Sequence, residues 1–373
     1  MKRNRVHLAH ALIFFSSLLA VDCEESKQRS ISDLYNFRFD QCIERLDELL
    51  EACPNDPLVP FLHISARWQK ELFHGSAESS YQVIYDGIKK TAPYYQDMID
   101  RHPEDQRFNL FLGSLYGLKA RVDLANSDWM ALVISGAKGF SYINEAKDND
   151  PDLHDVDMPI GTLEYFLCKS SSPLQVLGSV FGLGSDCEEA IRKLENASQN
   201  GELSWIEARN VLSHAYLYLE RDLQRAVGVT SSLATNFPGH PFFMYLHAEA
   251  LVKLERYTEY QSIQPRLKRF ISGGPVNQRQ ECRDKFNYIE ALRHFQLGSY
   301  EKAIISASDV IDGYDNEFKW ILGYAHFIRG KSLDIIGKRE QAVSDYKNAE
   351  GYLERYPEQL EALSLIERPF SAE

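Results

Sequence analysis

Apolar residues in this chain recur at intervals of three and four. Leu212, Ala215, Tyr216 and Leu219 form one such stripe, and Phe39, Cys42, Leu46 and Leu49 form another. That spacing places each set on one face of an α-helix. Alternating apolar and polar runs bracketed by Asn-Gly or Asp-Gly do not occur in the sequence, so paired strands have no support. The pattern predicts an all-α chain, and it repeats. Leu297-Gly-Ser-Tyr-Glu-Lys-Ala303 returns as Ile336-Gly-Lys-Arg-Glu-Gln-Ala342, preceded by Tyr288-Ile-Glu-Ala-Leu292 and Phe327-Ile-Arg-Gly-Lys331. In both windows a small residue, Ala291 or Gly330, lies 12 positions before the alanine. Gly298 and Gly337 fall at the turn between the helices.

Further windows fit this register. Ala226 stands 12 residues before Pro238, Ala248 precedes Tyr257 and Tyr260, and Gly139, Ile143 and Ala146 precede Pro151. Anchor separations are 36 from Ala190 to Ala226, 34 to Tyr260, 43 to Ala303 and 39 to Ala342. The physics is that of two antiparallel helices. They approach closely only at small residues, glycine supplies the left-handed turn, and proline ends the second helix. The spacing resembles the tetratricopeptide repeat (TPR), with its period of roughly 34 residues. The resemblance implies a right-handed α-solenoid of seven or eight helical hairpins, each burying its apolar stripe on its neighbours.

The repeats divide the sequence into arrays at 28–156, 157–271 and 276–373, after a segment at 1–22. Ser272-Gly-Gly-Pro275 reads as the linker between the last two arrays. Pro265 predicts a kink or split in the helix Thr258–Ile271. Residues 160–201 depart from a plain repeat. They carry an aromatic helix, a Ser/Pro break, a Leu-rich helix, a Gly-containing turn and an acidic helix start. Together with Phe-Pro-Gly-His-Pro241 they resemble, over residues 160–240, the tetratricopeptide-repeat-39 or inclusion-body-clearance family and its exported bacterial relatives. That resemblance implies architecture only, since the family offers no catalytic motif to carry over.

Composition changes the picture at the N-terminus and in overall charge. Lys2, Arg3 and Arg5 precede the apolar run Ala11–Ala20, the layout of a secretory signal. The run is too short for a spanning helix. Cys23 follows Asp22, where a lipobox wants a small residue. The expectation is an exported protein of the periplasm or cell envelope, with peripheral membrane association left open. Six cysteines in such a chain are candidates for disulfides. Cys42 and Cys53, 11 residues apart on one predicted helix, sit too far apart to bridge, and Cys42 reads as a core thiol. The formal charge of −13, from 41 basic and 54 acidic residues, disfavours nucleic acid as a partner.

Candidate chemistry is sparse. Gly182-Leu-Gly-Ser-Asp186 lacks the Gly-Lys-Ser/Thr of a phosphate loop, and Ser185 with Glu188 reads as a capping box. The run Asp148–Asp157 gathers five carboxylates but lacks the glycine and glutamate of an EF-hand; it reads as a solvated loop, with weak calcium binding as the alternative. His214, His247, His294 and His326 are scattered along first helices and read as structural. No metal, cofactor or catalytic residue is assigned. The functional candidate is the concave face, where the register projects Tyr218, Tyr245, Glu249, Lys285, Tyr288, Leu292, Phe295, Tyr324, Phe327 and Lys331. The expected function is a non-catalytic scaffold holding a protein or peptide in that groove. The alternative is a binding protein for an apolar or glycan envelope ligand.

Overall fold

The computed structural model describes residues 22–170, 175, 178, 182–315 and 319–371. The basic and apolar segments of the expected signal lie outside these residues, and so does most of the expected Leu-rich helix. The described residues form 17 α-helices and no strand, an all-α solenoid. The first eight helices are α1 (Cys23–Tyr35), α2 (Phe39–Ala52), α3 (Leu58–His74), α4 (Ala77–Arg101), α5 (Arg107–Ala125), α6 (Trp129–Asn149), α7 (Asp157–Cys168) and α8 (Cys187–Asn200). The remainder are α9 (Trp205–His214, running into a π turn at Ala215–Leu219), α10 (Leu223–Asn236), α11 (Pro241–Lys253), α12 (Tyr257–Ser272), α13 (Val276–Gln296), α14 (Tyr300–Gly313), α15 (Trp320–Ile335), α16 (Arg339–Tyr352) and α17 (Pro357–Glu367). They pair as eight hairpins, with α17 capping the last.

Local backbone chemistry makes the hairpins. Seven of the eight intra-hairpin connections contain a left-handed residue among those described: Phe37, Ser127, Gly182, Arg221, Glu255, Gly298 and Gly337, with φ between 55° and 79°. In six of them the next N–H reaches back to the carbonyl five residues earlier, as in Arg38 to Asp33 and Lys338 to Leu333. This bond satisfies a carbonyl that the helix end leaves free. Between hairpins a second device recurs. Cys53, His102, Asp150 and Phe237 each end a helix at φ near −130° and ψ of 60–85°. Each precedes a proline, which disfavours the helical conformation in the residue before it.

Small residues bring the helices together. Ala226, Ala248, Ala291, Ala303 and Ala342 are fully buried. A Cβ on Gly330 would meet the Tyr346 ring at 2.8 Å, and one on Gly113 of α5 would meet the Gly139 carbonyl of α6 at 2.7 Å. The register therefore marks the true contact points between helices.

Several expectations change. α12 runs unbroken through Pro265. One hydrophobic core spans α7 to α17 across residues 272–275, so that loop separates helices without interrupting packing. Asp186, not Ser185, caps α8, accepting from the Glu188 and Glu189 amides. It stands immediately before Cys187, whose disulfide to Cys168 joins α8 to α7. A second disulfide joins Cys23 to Cys53, so the Cys23 sulfur is engaged within the fold. Cys42 and Cys282 are buried thiols.

The array curls back on itself. Tyr35, Phe37, Phe73, Phe237, His240, Phe242 and Phe243 form an aromatic seam joining α1–α3 to α10–α11. Gly239 donates to the Asn36 side chain at 2.8 Å, and Tyr35 to Glu207 at 2.7 Å. On the other side Arg221, after α9, pairs with Glu358 of α17 at 2.9 Å.

Candidate functional site

The curl forms a half-open chamber of about 590 Å³. Its walls come from α3 to α5 on one side and from α9, α11, α13 and Trp320 of α15 on the other. Each inner helix presents one face. Asn210, His214 and Tyr218 stand four apart on α9; Tyr245 and Glu249 stand four apart on α11; Glu281 and Lys285 stand four apart on α13, with Tyr288 next. Residues spaced by four lie one above another on a helix, so each row is a continuous strip of chamber wall.

Five residues projected from the register line this space: Tyr218, Tyr245, Glu249, Lys285 and Tyr288. Most are already committed to packing. The Glu249 carboxylate is buried and accepts from the Tyr218 and Tyr288 hydroxyls, the latter at 2.8 Å. Lys253 pairs with it at 2.9 Å and also donates to the Leu217 carbonyl in the π turn at 3.1 Å. A buried carboxylate is tolerated only with such partners. Burial and the Glu249 charge both push the Tyr218 and Tyr288 hydroxyls far above the ordinary phenol range, which keeps them protonated donors. Tyr245 turns its hydroxyl to the Leu267 carbonyl at 2.9 Å. Tyr324 packs behind Tyr218, with ring centroids 5.8 Å apart, and donates to Glu358. These groups form the wall and are closed to a ligand.

The accessible chemistry lies elsewhere in the chamber. His214 is exposed to the chamber although protein surrounds it. Its Nδ1 lies 3.0 Å from the Asn210 carbonyl, which can only accept, so Nδ1 carries the proton and Nε2 is an acceptor. Burial, aided by the Lys285 charge, holds the imidazole below its ordinary range against the pull of the Asn210 carbonyl and Glu249. Lys285 lies 3.4 Å from Glu281 and within 5.6 Å of the Phe242 and Trp320 ring centres. His240 closes one corner, stacked 3.6 Å from Phe243 and accepting from the Phe243 amide. Burial pushes His240 down to about 3, so it is neutral. The chamber thus offers an imidazole acceptor at His214, two cations, Lys285 and Arg121, and aromatic faces.

The register missed His214, Asn210, Phe242 and Trp320. The four-residue rows on α9 were the available signal. The remaining projected residues lie outside the chamber: Leu292 and Phe327 pack into the core, Phe295 meets Phe370 near the C-terminus, and Lys331 lies over the Phe295, Phe327 and Phe370 rings. Among the described residues no cluster of three or more His, Cys, Asp or Glu is arranged to hold a metal ion. The Asp148–Asp157 carboxylates are partly spent within the fold. Asp155 accepts from the Glu202, Leu203 and Ser204 amides, and Asp157 from Asn196. Burial raises both free thiols, Cys42 to about 12, so neither is an activated nucleophile.

Comparison with solved structures finds other helical-repeat proteins. One is a tetratricopeptide repeat protein from Parabacteroides merdae ATCC 43184, 12% identical with a TM-score of 0.26, covering 92% of this chain and 97% of that one. Another is the TPR domain of P58(IPK), 11% identical with a TM-score of 0.27, covering 93% of this chain and 98% of that one. No protein-family model and no curated protein matches the chain. At those TM-scores the likeness carries no weight here. The chain is built of TPR-like hairpins on its own evidence of left-handed turns, small-residue crossings and pre-proline helix ends.

Proposed function

We propose that this chain is a non-catalytic binding scaffold whose inner helices receive an extended segment of a protein partner. The observation that carries the reading is that His214 of α9 and Lys285 of α13 open onto one chamber beside the Phe242 and Trp320 rings, over a wall that α11 seals. His214 offers an acceptor and Lys285 a cation, while Phe242 and Trp320 offer faces on which an aromatic or aliphatic side chain can rest. The two disulfides favour an oxidising compartment, and with the N-terminal charge pattern they support placing the protein in the periplasm or cell envelope. The charge of −13 favours a protein partner over nucleic acid.

The size of the chamber favours a second reading, a small apolar or glycan ligand. Its volume falls within the roughly 300–1,000 Å³ of small-molecule sites. Native mass spectrometry separates the two: a small molecule retained at one per chain supports the second reading, and an empty chain counts against it.

The test of the first reading is co-purification under mild crosslinking, comparing wild type with His214→Glu and Lys285→Glu. Both side chains line the chamber and neither hydrogen-bonds the buried Glu249 carboxylate; because Lys285 also meets Glu281, Phe242 and Trp320, circular dichroism checks that each variant is folded. Loss of the same partner from both variants is expected; unchanged partner sets overturn the assignment. Tyr288→Ala is unsuitable, because it removes a buried donor to Glu249 and tests folding instead.

A further inference from the structure

The second group of inner-wall residues is occupied by the chain itself. α17 ends at Glu367, and residues 368–371 continue without regular structure. Phe370 comes to rest against Phe295 of α13, with ring centroids 5.8 Å apart. The Lys331 ammonium lies 4.6 Å from the centre of the Phe370 ring and 4.5 Å from that of Phe327. A cation shared among aromatic faces is a recognised mode of attraction. The Phe370 amide donates to the Asp334 carboxylate at 2.8 Å. Beyond Glu367 that ring and that amide are the tail's principal holds, since residues 367–369 and 371 are exposed.

Two features make this contact separable from the fold. Asp334 also accepts from Tyr346 at 2.9 Å and pairs with Arg339 at 2.9 Å, so departure of the tail leaves it satisfied. Arg339 holds the end of α17 through the Leu365 and Ile366 carbonyls at 2.9 and 2.8 Å, so the helix stays anchored without the tail. We propose that Phe295 and Lys331, the latter seated over the buried Phe327 ring, form a recognition site for a short chain segment bearing an aromatic residue, and that residues 368–371 occupy it in cis. A like segment arriving in trans must displace them. This site shares no residue with the chamber, so it stands or falls separately from the proposed function.

The test uses the full chain. An acetylated, amidated peptide with the sequence Glu367–Ser371, carrying 4-fluorophenylalanine in place of Phe370, is titrated and followed by fluorine NMR. The tethered tail competes at an effective concentration of millimolar order. Wild type is therefore expected to bind the peptide more weakly than Phe370→Ala, which empties the site, by about twofold for a peptide of millimolar Kd and about tenfold for one of about 0.1 mM. Adding Lys331→Ala to Phe370→Ala is expected to remove the binding. Equal titrations of wild type and Phe370→Ala, no saturable shift with Phe370→Ala, or binding that survives Lys331→Ala would each overturn the proposal. Should Phe370→Ala unfold, the chain ending at Glu367 serves in its place, with the same expected and contrary results.

Discussion

At the scale of single residues, buried polar groups decide what the chamber wall tolerates. Glu249 collects two phenolic donors and one ammonium from α9, α13 and its own helix. Glu249→Ala leaves Lys253 an ion with no carboxylate and two buried hydroxyls without their acceptor. The expected cost is about 3 kcal/mol of stability, read as a lower urea midpoint; a loss near zero would mean the network is optional. His240 contributes to the response to acid, together with His247, which burial lowers to about 4, and His63, His214 and His294, which burial also lowers. The folded value of His240, about 3, lies below that of a free imidazole, so the unfolded chain takes up the proton first. The contribution is complete above roughly pH 6.5 and drains as pH falls toward 3, by up to about 1.4 kcal/mol per pH unit. Depressed carboxylates such as Asp345 and Glu290 add losses only below their ordinary range near pH 4. His240→Asn keeps a capping acceptor and is expected to lessen the slope of the stability profile between pH 6.5 and 4, the other lowered histidines supplying the rest; an unchanged slope would assign it to them alone.

At the scale of elements, the turns explain how far the sequence could be read. The two hairpins recognised first carry glycine at the left-handed position, Gly298 and Gly337. Phe37, Ser127, Arg221 and Glu255 hold the same conformation without glycine. A search for Gly passes over them, because the steric cost of roughly 1–2 kcal/mol for a side chain there is small enough for packing to offset. Pre-proline helix ends were legible at Pro151 and Pro238, since proline leaves the residue before it few conformations. Pro265 misled, because its helix accepted the missing amide and ran on. Glu255 is exposed, and a Cβ on Gly337 would meet no atom within 4 Å, so these positions isolate backbone conformation. Gly337→Ala should lower stability by about 1 kcal/mol and Glu255→Gly should raise it by a similar or smaller amount. Equilibrium denaturation checks both, and shifts of the same sign would refute the shared turn geometry.

At the scale of the whole molecule, the chamber depends on contacts that local pattern does not carry. The bond between Gly239 and Asn36 spans 203 residues of sequence, and the Arg221–Glu358 pair closes the opposite side. Helix periodicity identifies which face of each helix is apolar. It does not say that the first hairpin docks on the fifth and sixth. For that reason the register projected an open groove, half of which is sealed wall, while the accessible His214 passed as a structural residue. The proposed function requires the chamber to be the surface that meets a partner. The most direct measurement places a photo-crosslinking amino acid at position 214, inside the chamber, and in a second chain at position 305, exposed on the outer face of α14. Illumination should capture one partner from position 214, through a single short segment of that partner, and not from position 305. Capture of the same species from both positions, or from 305 alone, would contradict it.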